Sequence, residues 1–134
     1  MTRNRKVLLV SNFAVLSEKA ILYALHLSHR MEASLEVLHI VEGGRAKSEL
    51  DFRDNVIQAG ITEHIGYVQI SGDENSMPAT IEYARNKRNL LCLILFLRGS
   101  EPIENNLNEQ EIFKEVTHLL NCPIVQYTDS PAYP

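Results

Sequence analysis

Leu90-Leu91-Cys92-Leu93-Ile94-Leu95-Phe96-Leu97 is the longest uncharged apolar run in the chain and its most hydrophobic predicted strand. A short continuous apolar run of this kind is typical of a strand buried on both faces, as strands of parallel sheets are. Val7 to Val10 is a second run of the same character near the start of the chain. These runs favour a parallel sheet that is covered by helices on both faces.

Strands and helical patterns alternate along the whole sequence. This order predicts a single α/β domain with one five-stranded parallel sheet, because successive parallel strands need helical crossovers. The strand order that we expect is 3-2-1-4-5. The predicted strands are Val7–Val10, Leu35–Val41, Ile65–Ile70, Leu90–Leu97 and Ile124–Tyr127, and the predicted helices begin near Ser17, Ala46, Pro78 and Asn108.

The predicted helices carry their own start and stop signals. Ser17 is expected to cap the first helix, and Gly60 is expected to end the second in the C′ position. Asn108 and Glu111 form a plausible capping box for the last helix. The weakly amphipathic second helix is expected to use four apolar residues for packing: Leu50, Phe52, Val56 and Ile57.

The composition limits the possible partners. The 134 residues carry a net charge of −4, which gives no reason to expect a nucleic-acid partner, since a phosphate backbone needs a basic surface. The longest apolar run is too short to span a bilayer, so we expect no membrane partner and a cytoplasmic location. We predict one domain over residues 1–128 and a loose tail over 129–134, which holds two prolines.

Five short segments follow one another in order and with natural spacing: Lys6-Val7-Leu8-Leu9-Val10-Ser11-Asn12-Phe13, Leu38-His39-Ile40-Val41-Glu42, Gly72-Asp73 with Ile81-Glu82-Tyr83-Ala84, Cys92-Leu93-Ile94-Leu95-Phe96 and Asn121-Cys122-Pro123-Ile124-Val125. Together they resemble the universal stress protein family. The resemblance implies an adenine-nucleotide α-hydrolase-like fold and a homodimer paired along the fifth strand, through Ile124, Val125 and Tyr127.

ATP-binding members of that family carry an aspartate after the first strand and the pattern Gly-x2-Gly-x9-Gly-Ser/Thr after the fourth. Glycine lets backbone amides approach phosphate oxygens, and a carboxylate at the last position of the pattern repels them. The chain therefore resembles a member that lacks the ATP-binding glycine pattern. Its family-equivalent nucleotide positions are Asn12, Val41, Leu97, Ser100, Gln110 and Glu111, with Gly99 one or two positions out of register.

These residues predict a non-catalytic stress-response or regulatory module that binds no cofactor and acts through an unidentified protein partner. An ATP- or AMP-binding protein with a divergent phosphate loop is the alternative, and an enzyme acting on a small phosphorylated substrate is a third possibility. The stretch from Leu97 to Glu111 is interpreted as a helix cap with a surface connection. No nucleophile–base pair is indicated, so no catalytic residue is predicted.

The remaining histidines and cysteines have structural interpretations. His39 is expected to be a hydrogen-bonded histidine of the core, and His26 and His29, three residues apart on a helix, are expected to be solvated. Cys92 and Cys122 are expected to be reduced core residues, since they lie in apolar segments without CxxC spacing. The sequence therefore predicts no metal site.

Overall fold

The computed structural model of the chain describes residues 5–13, 16–41, 47–71, 77–96, 118–120 and 122–127. Within them lies one five-stranded, all-parallel sheet in the order β3-β2-β1-β4-β5, which confirms the predicted topology. Residues 118–120 are also helical. The elements are β1 (Lys6–Ser11), α1 (Glu18–Arg30), β2 (Ser34–Val41), α2 (Lys47–Gln58), β3 (Gly66–Ser71), α3 (Met77–Arg85), β4 (Leu90–Phe96) and β5 (Ile124–Gln126).

Apolar residues cover both faces of the sheet, as continuous apolar strands require. Because side chains alternate along a strand, Val7 and Leu9 of β1 face one side and Leu8 and Val10 face the other. The first face packs against α1 and α2, and the second packs against α3. All four of these β1 side chains are at most 1% exposed, so the central strand forms the middle of the core.

The packing of α2 differs from the prediction. Phe52 and Val56 are buried, but Leu50 is 66% exposed and Ile57 is 72% exposed. At about 100° per residue, Leu50 and Ile57 lie together on one side of the helix and Phe52 and Val56 lie on the other. Only one side of a helix contacts a sheet. In α2 this is the side of Phe52, whose ring stacks on Tyr67 of β3 with centroids 4.8 Å apart. Treating all four residues as the packing face was therefore wrong.

Helices α1 and α2 end in the same hydrogen-bonded motif. After α2, Gly60 N donates to Ile57 O and Ile61 N donates to Val56 O, at 3.0 and 3.1 Å. This is a Schellman motif with Gly60 in the C′ position at φ 77°, as predicted. After α1 the equivalent bonds run from Glu32 N to His29 O and from Ala33 N to Ser28 O. Its C′ residue is Glu32, at φ 54°, a conformation that a side chain disfavours.

The two helix ends give a matched pair of predictions. We expect Glu32→Gly to raise the free energy of unfolding by about 0.5–1 kcal/mol, because glycine adopts positive φ without a steric cost. We expect Gly60→Ala to lower the free energy of unfolding by about 1–2 kcal/mol, because alanine disfavours positive φ. No atom lies within 4 Å of the added Cβ, so a steric clash adds nothing to this loss. Urea unfolding of both variants measures this. Equal effects of the same sign would contradict the backbone explanation.

Several predicted features lie outside the described residues. They are the start of the last helix at Asn108 and Glu111, the Leu97 to Glu111 connection and the tail over 129–134.

Candidate functional site

The carboxyl ends of the strands define the edge at which an α/β sheet of this order binds ligands. The order in which the chain adds strands to the sheet reverses at β1, because β2 lies on one side of β1 and β4 lies on the other. Ligands of such sheets bind in the crevice outside this switch point. Ser11 and Phe96 are the last residues of the two strands, and they are directly opposite each other in the β1–β4 register.

The chain beyond β1 is held by its own side chains. Ser11 Oγ accepts a hydrogen bond from Phe13 N at 3.2 Å, and His39 Nε2 lies 2.6 Å from Phe13 O. Because a carbonyl oxygen only accepts, Nε2 must carry a proton and donate it. Ser11 is fully buried and His39 is 1% exposed, so both contacts are shielded from water. The turn that carries Asn12 and Phe13 is therefore fixed at both polar groups of the Phe13 backbone.

Aromatic rings cover the switch point. The rings of Phe13 and Phe96 stack with centroids 4.5 Å apart, so side chains from the two strands meet across the crevice. Phe96 also contacts Tyr127 edge-on at 5.4 Å, and Tyr127 packs against Tyr23 of α1 at 4.9 Å. Phe96 is 5% exposed, whereas Phe13 is partly buried. The described side chains beside the switch point thus form a row of four contacting aromatic rings.

The N-terminus of α1, a few residues after Phe13, carries a side-chain cap. Ser17 Oγ accepts from Ala20 N at 3.3 Å, which confirms the predicted cap. Glu18 places a carboxylate in the first turn, where the helix dipole favours a negative charge. The cap and the carboxylate supply the acceptor and the anion that a bound phosphate would otherwise provide.

Two of the predicted nucleotide positions fall within the described residues. Asn12 is partly buried directly after β1, and Val41 is 4% exposed at the end of β2. Both therefore lie at the carboxyl edge, on neighbouring strands. The other predicted positions, Leu97, Gly99, Ser100, Gln110 and Glu111, lie outside the described residues.

His39 is a hydrogen-bonded core histidine, as predicted, and it belongs to a larger polar cluster. Its Nδ1 lies 2.7 Å from Tyr67 Oη, and Tyr67 Oη lies 3.2 Å from Gln69 Oε1. Burial lowers the pKa of His39 below 6.5, and the hydrogen bond to the Phe13 carbonyl opposes this shift only in part. At neutral pH the ring is therefore uncharged, with its proton on Nε2.

The lowered pKa predicts a pH dependence of stability. Above pH 6.5 His39 is mainly neutral in both the folded and the unfolded protein. Below pH 6.5 the unfolded chain binds a proton at this histidine before the folded protein does, because the pKa is lower in the folded state. The free energy of unfolding therefore falls with pH until the pH passes the pKa of the folded state. We expect wild-type protein to lose stability more steeply than His39→Gln between about pH 7 and pH 5. Denaturant midpoints at several pH values measure this. Parallel pH profiles of the two proteins would contradict it.

A second polar cluster lies toward the opposite edge of the sheet, where β2 meets the end of α3. Glu36 is 7% exposed, and its carboxylate accepts hydrogen bonds from Lys87 Nζ, at 2.9 and 3.1 Å, and from the Tyr83 hydroxyl. Burial and the adjacent Glu36 raise the pKa of Tyr83. Burial alone would lower the pKa of Lys87, but its contacts with Glu36 outweigh that and raise it. These contacts connect the end of α3 to β2.

The remaining histidines lie at the surface, and the two cysteines lie in the core. His26 and His29 are exposed, and Glu63 lies 2.6 Å from His29 Nε2, an acidic neighbour that the sequence did not indicate. No group of three or more histidine, cysteine or acidic residues in the described ranges could hold a metal ion. Cys92 and Cys122 are buried free thiols, and burial raises the pKa of both. Among the described helices, none has the length and apolar character that crossing a membrane requires.

The sequence places Asn12 and Phe13 directly after the first predicted strand but does not state the partners of Phe13. One signal was available: Val7, Leu9, Ser11 and Phe13 alternate along β1, as Cys92, Ile94 and Phe96 do along β4. If the two strands are neighbours, both phenylalanines face the same side near the strand ends. The contact of His39 with Tyr67 had no such signal, because it depends on the register between β2 and β3.

No family model, curated protein or solved structure matches this chain.

Proposed function

We propose that this protein is a non-catalytic regulatory module of the universal stress protein type that binds no ATP and acts through protein contacts. The sheet order is the one that this family would require. The proposal is carried by the Phe13–Phe96 stack, which lies over the switch point between β1 and β4. A ligand entering there has to separate two rings whose stacking and burial stabilise the fold.

Electrostatics support the same proposal. A bound triphosphate is stabilised by cations, but the described residues at the end of β1, Ser11, Asn12 and Phe13, carry no positive charge, and the first turn of α1 holds Glu18 as well as Lys19. Ser11 Oγ and the Phe13 backbone already bond to protein groups. The sequence beyond β4 has Gln110 and Glu111 where the family pattern has a glycine and a hydroxyl, and Glu109 precedes them. Carboxylates repel phosphate.

The alternative, an ATP- or AMP-binding protein with a divergent phosphate loop, is favoured by Asn12. Its amide lies partly buried at the switch point, where it suits a base or ribose better than a phosphate. An enzyme acting on a small phosphorylated substrate would need polar side chains that converge near Asn12. The described polar neighbours, Ser11 and His39, are instead at most 1% exposed and bond inward.

Calorimetry on matched proteins tests the proposal. ATP, ADP and AMP, with and without magnesium, are titrated into wild-type protein and into the variant Leu97→Gly, Gln110→Gly, Glu111→Ser. We expect no binding by wild type at about 1 mM, which corresponds to less than about 4 kcal/mol of binding free energy. The variant should bind measurably, because it regains the glycines and loses a carboxylate. A wild-type Kd in the micromolar range would overturn the proposal, and equal weakness of both proteins would contradict the role given to the loop.

The proposed protein contact is a homodimer along β5. This strand is short and pairs with β4 on one side, through bonds such as Tyr127 N to Leu95 O at 2.8 Å. The backbone N–H and C=O groups of successive residues in a strand point to opposite sides. Pro123 O and Tyr127 N bond to β4, so the backbone groups of Ile124 point toward the outer edge. Ile124, Val125 and Tyr127 are partly buried apolar residues beside that edge. An edge of this kind favours pairing with another strand.

Sedimentation measures this prediction. We expect wild type to be a dimer at tens of micromolar and Val125→Lys to be monomeric, because a charge on a paired edge strand opposes association. Leu50→Lys is the matched control, since it places the same charge on α2, away from β5. A monomeric wild type, or a dimer that Leu50→Lys alone dissociates, would contradict pairing through β5.

A further inference from the structure

The contacts that join His39, Tyr67 and Gln69 need more hydrogens than a neutral His39 and the Tyr67 hydroxyl can supply. Three contacts join it: His39 Nε2 to Phe13 O, His39 Nδ1 to Tyr67 Oη, and Tyr67 Oη to Gln69 Oε1. Each contact needs one hydrogen. A neutral imidazole supplies one and the phenol supplies one, so two hydrogens serve three contacts.

Two arrangements resolve the shortage. If His39 is protonated, Nδ1–H donates to Tyr67 Oη and the hydroxyl donates to Gln69 Oε1, which satisfies all three contacts. If His39 is neutral, the Tyr67 hydroxyl donates to Nδ1, and Gln69 must turn its amide so that Nε2 donates to Tyr67 Oη. The two ends of a glutamine amide have nearly the same shape, so this turn exchanges donor and acceptor without moving the backbone.

We infer that His39, Tyr67 and Gln69 form a proton-linked switch, in which protonation of His39 reverses the Tyr67 hydroxyl and turns the Gln69 amide. The proton comes from solvent and binds Nδ1, while Nε2–H stays on the Phe13 carbonyl in both states. The bond to Phe13 is the same in both states, so the group whose orientation differs between them is the Gln69 amide. This residue lies two positions before the end of β3, at the carboxyl edge. The switch does not depend on the proposed function.

Among the described residues, those that meet the cluster from β1 and β3 carry no charge. From β1 it meets Ser11 and Phe13, which carry no charge, and from β3 it meets Tyr67 and Gln69 themselves. The buried residues of α1 are also uncharged: Ala20, Ile21, Ala24, Leu25 and Ser28.

Helix α2 contributes the charged residue. Phe52 stacks on Tyr67, and Arg53 lies over the Phe52 ring at 5.4 Å while donating to Ile65 O at 2.8 Å. Among the charged groups of the described helices on this face, Arg53 is therefore the one that reaches the neighbourhood of the cluster. Burial favours the neutral imidazole. The switch accordingly operates below pH 6.5.

Nitrogen-15 NMR of the whole protein tests the switch. As the pH falls, His39 Nδ1 should change from the shift of an acceptor to that of an N–H donor. The side-chain amide signals of Gln69 should move with the same midpoint. In Tyr67→Phe the Gln69 signals should no longer follow His39, because the hydroxyl that joins them is gone. Tyr23→Phe, which removes a hydroxyl elsewhere on this face, should leave the coupling intact.

A second variant tests the direction of the effect. Gln69→Glu offers only acceptor oxygens to Tyr67, so it should favour the imidazolium and raise the proton affinity of His39 by about tenfold or more. An unchanged midpoint in Gln69→Glu would overturn the inference. So would Gln69 signals in wild type that do not follow His39, or that still follow it in Tyr67→Phe. If Gln69→Glu does not fold, the wild-type and Tyr67→Phe titrations decide the question.

Discussion

Phe96→Ala is expected to lower the free energy of unfolding by about 3–5 kcal/mol. The side chain is 5% exposed and contacts two other rings, Phe13 and Tyr127. Truncation removes the buried ring and leaves a cavity between β4 and the turn after β1. Urea unfolding, with an unchanged slope to show that the unfolded state is unaffected, gives the value.

Phe13→Ala is the matched control for this result. It removes the other ring of the same stack, but Phe13 is only partly buried, so the loss should be about half as large. Comparison of the two variants separates burial from stacking, because both lose the stacking contact. If Phe13→Ala costs as much as Phe96→Ala, the stack itself, and not burial in the core, dominates. A loss below about 1 kcal/mol for Phe96→Ala would contradict the packing described here.

Lys87→Met is expected to lower the free energy of unfolding by about 1–3 kcal/mol at pH 7. The Glu36 carboxylate is nearly buried, and the substitution leaves it charged without its cation. Breaking a fully buried pair costs about 3–5 kcal/mol, and the smaller value reflects the 29% exposure of the Lys87 side chain. Thermal and urea unfolding measure the loss.

A double-mutant cycle identifies the cause. Glu36→Gln keeps an acceptor for the Tyr83 hydroxyl but removes the charge, so Glu36→Gln with Lys87→Met should be less destabilised than Lys87→Met alone. Arg85→Met, on the exposed side of the same helix end, should have little effect. Additive losses in the cycle would show that Glu36 and Lys87 do not act as a pair.

The sheet could be predicted from the sequence because its signals are local and strong. Val7 to Val10 and Leu90 to Leu97 are apolar without interruption, which restricts them to a sheet covered on both faces. Ser17 and Gly60 mark helix ends through their own chemistry, and both occupy the predicted positions. These elements leave few topologies to consider, since parallel crossovers have one hand.

The contacts at the candidate site could not be predicted, because they join residues that are far apart in the sequence. Phe13 and Phe96 are 83 positions apart, and their stacking follows from the register of β1 against β4. The same is true of His39 and Tyr67 across β2 and β3. The error on α2 has a different origin, because Leu50 and Ile57 are apolar and helical but lie on the side that faces away from the sheet. Counting apolar residues without their angular positions produced it.

The proposed function requires that protein side chains, the Phe13–Phe96 stack among them, occupy the crevice between β1 and β4 in place of a nucleotide. Titration of nitrogen-15-labelled wild-type protein with magnesium ATP, observed at the backbone amides of Asn12, Phe13 and Phe96, tests it most directly. We predict that these amides do not shift at concentrations up to about 1 mM. Saturating shifts of all three with a micromolar midpoint would contradict the claim, since they would place the nucleotide in the crevice itself.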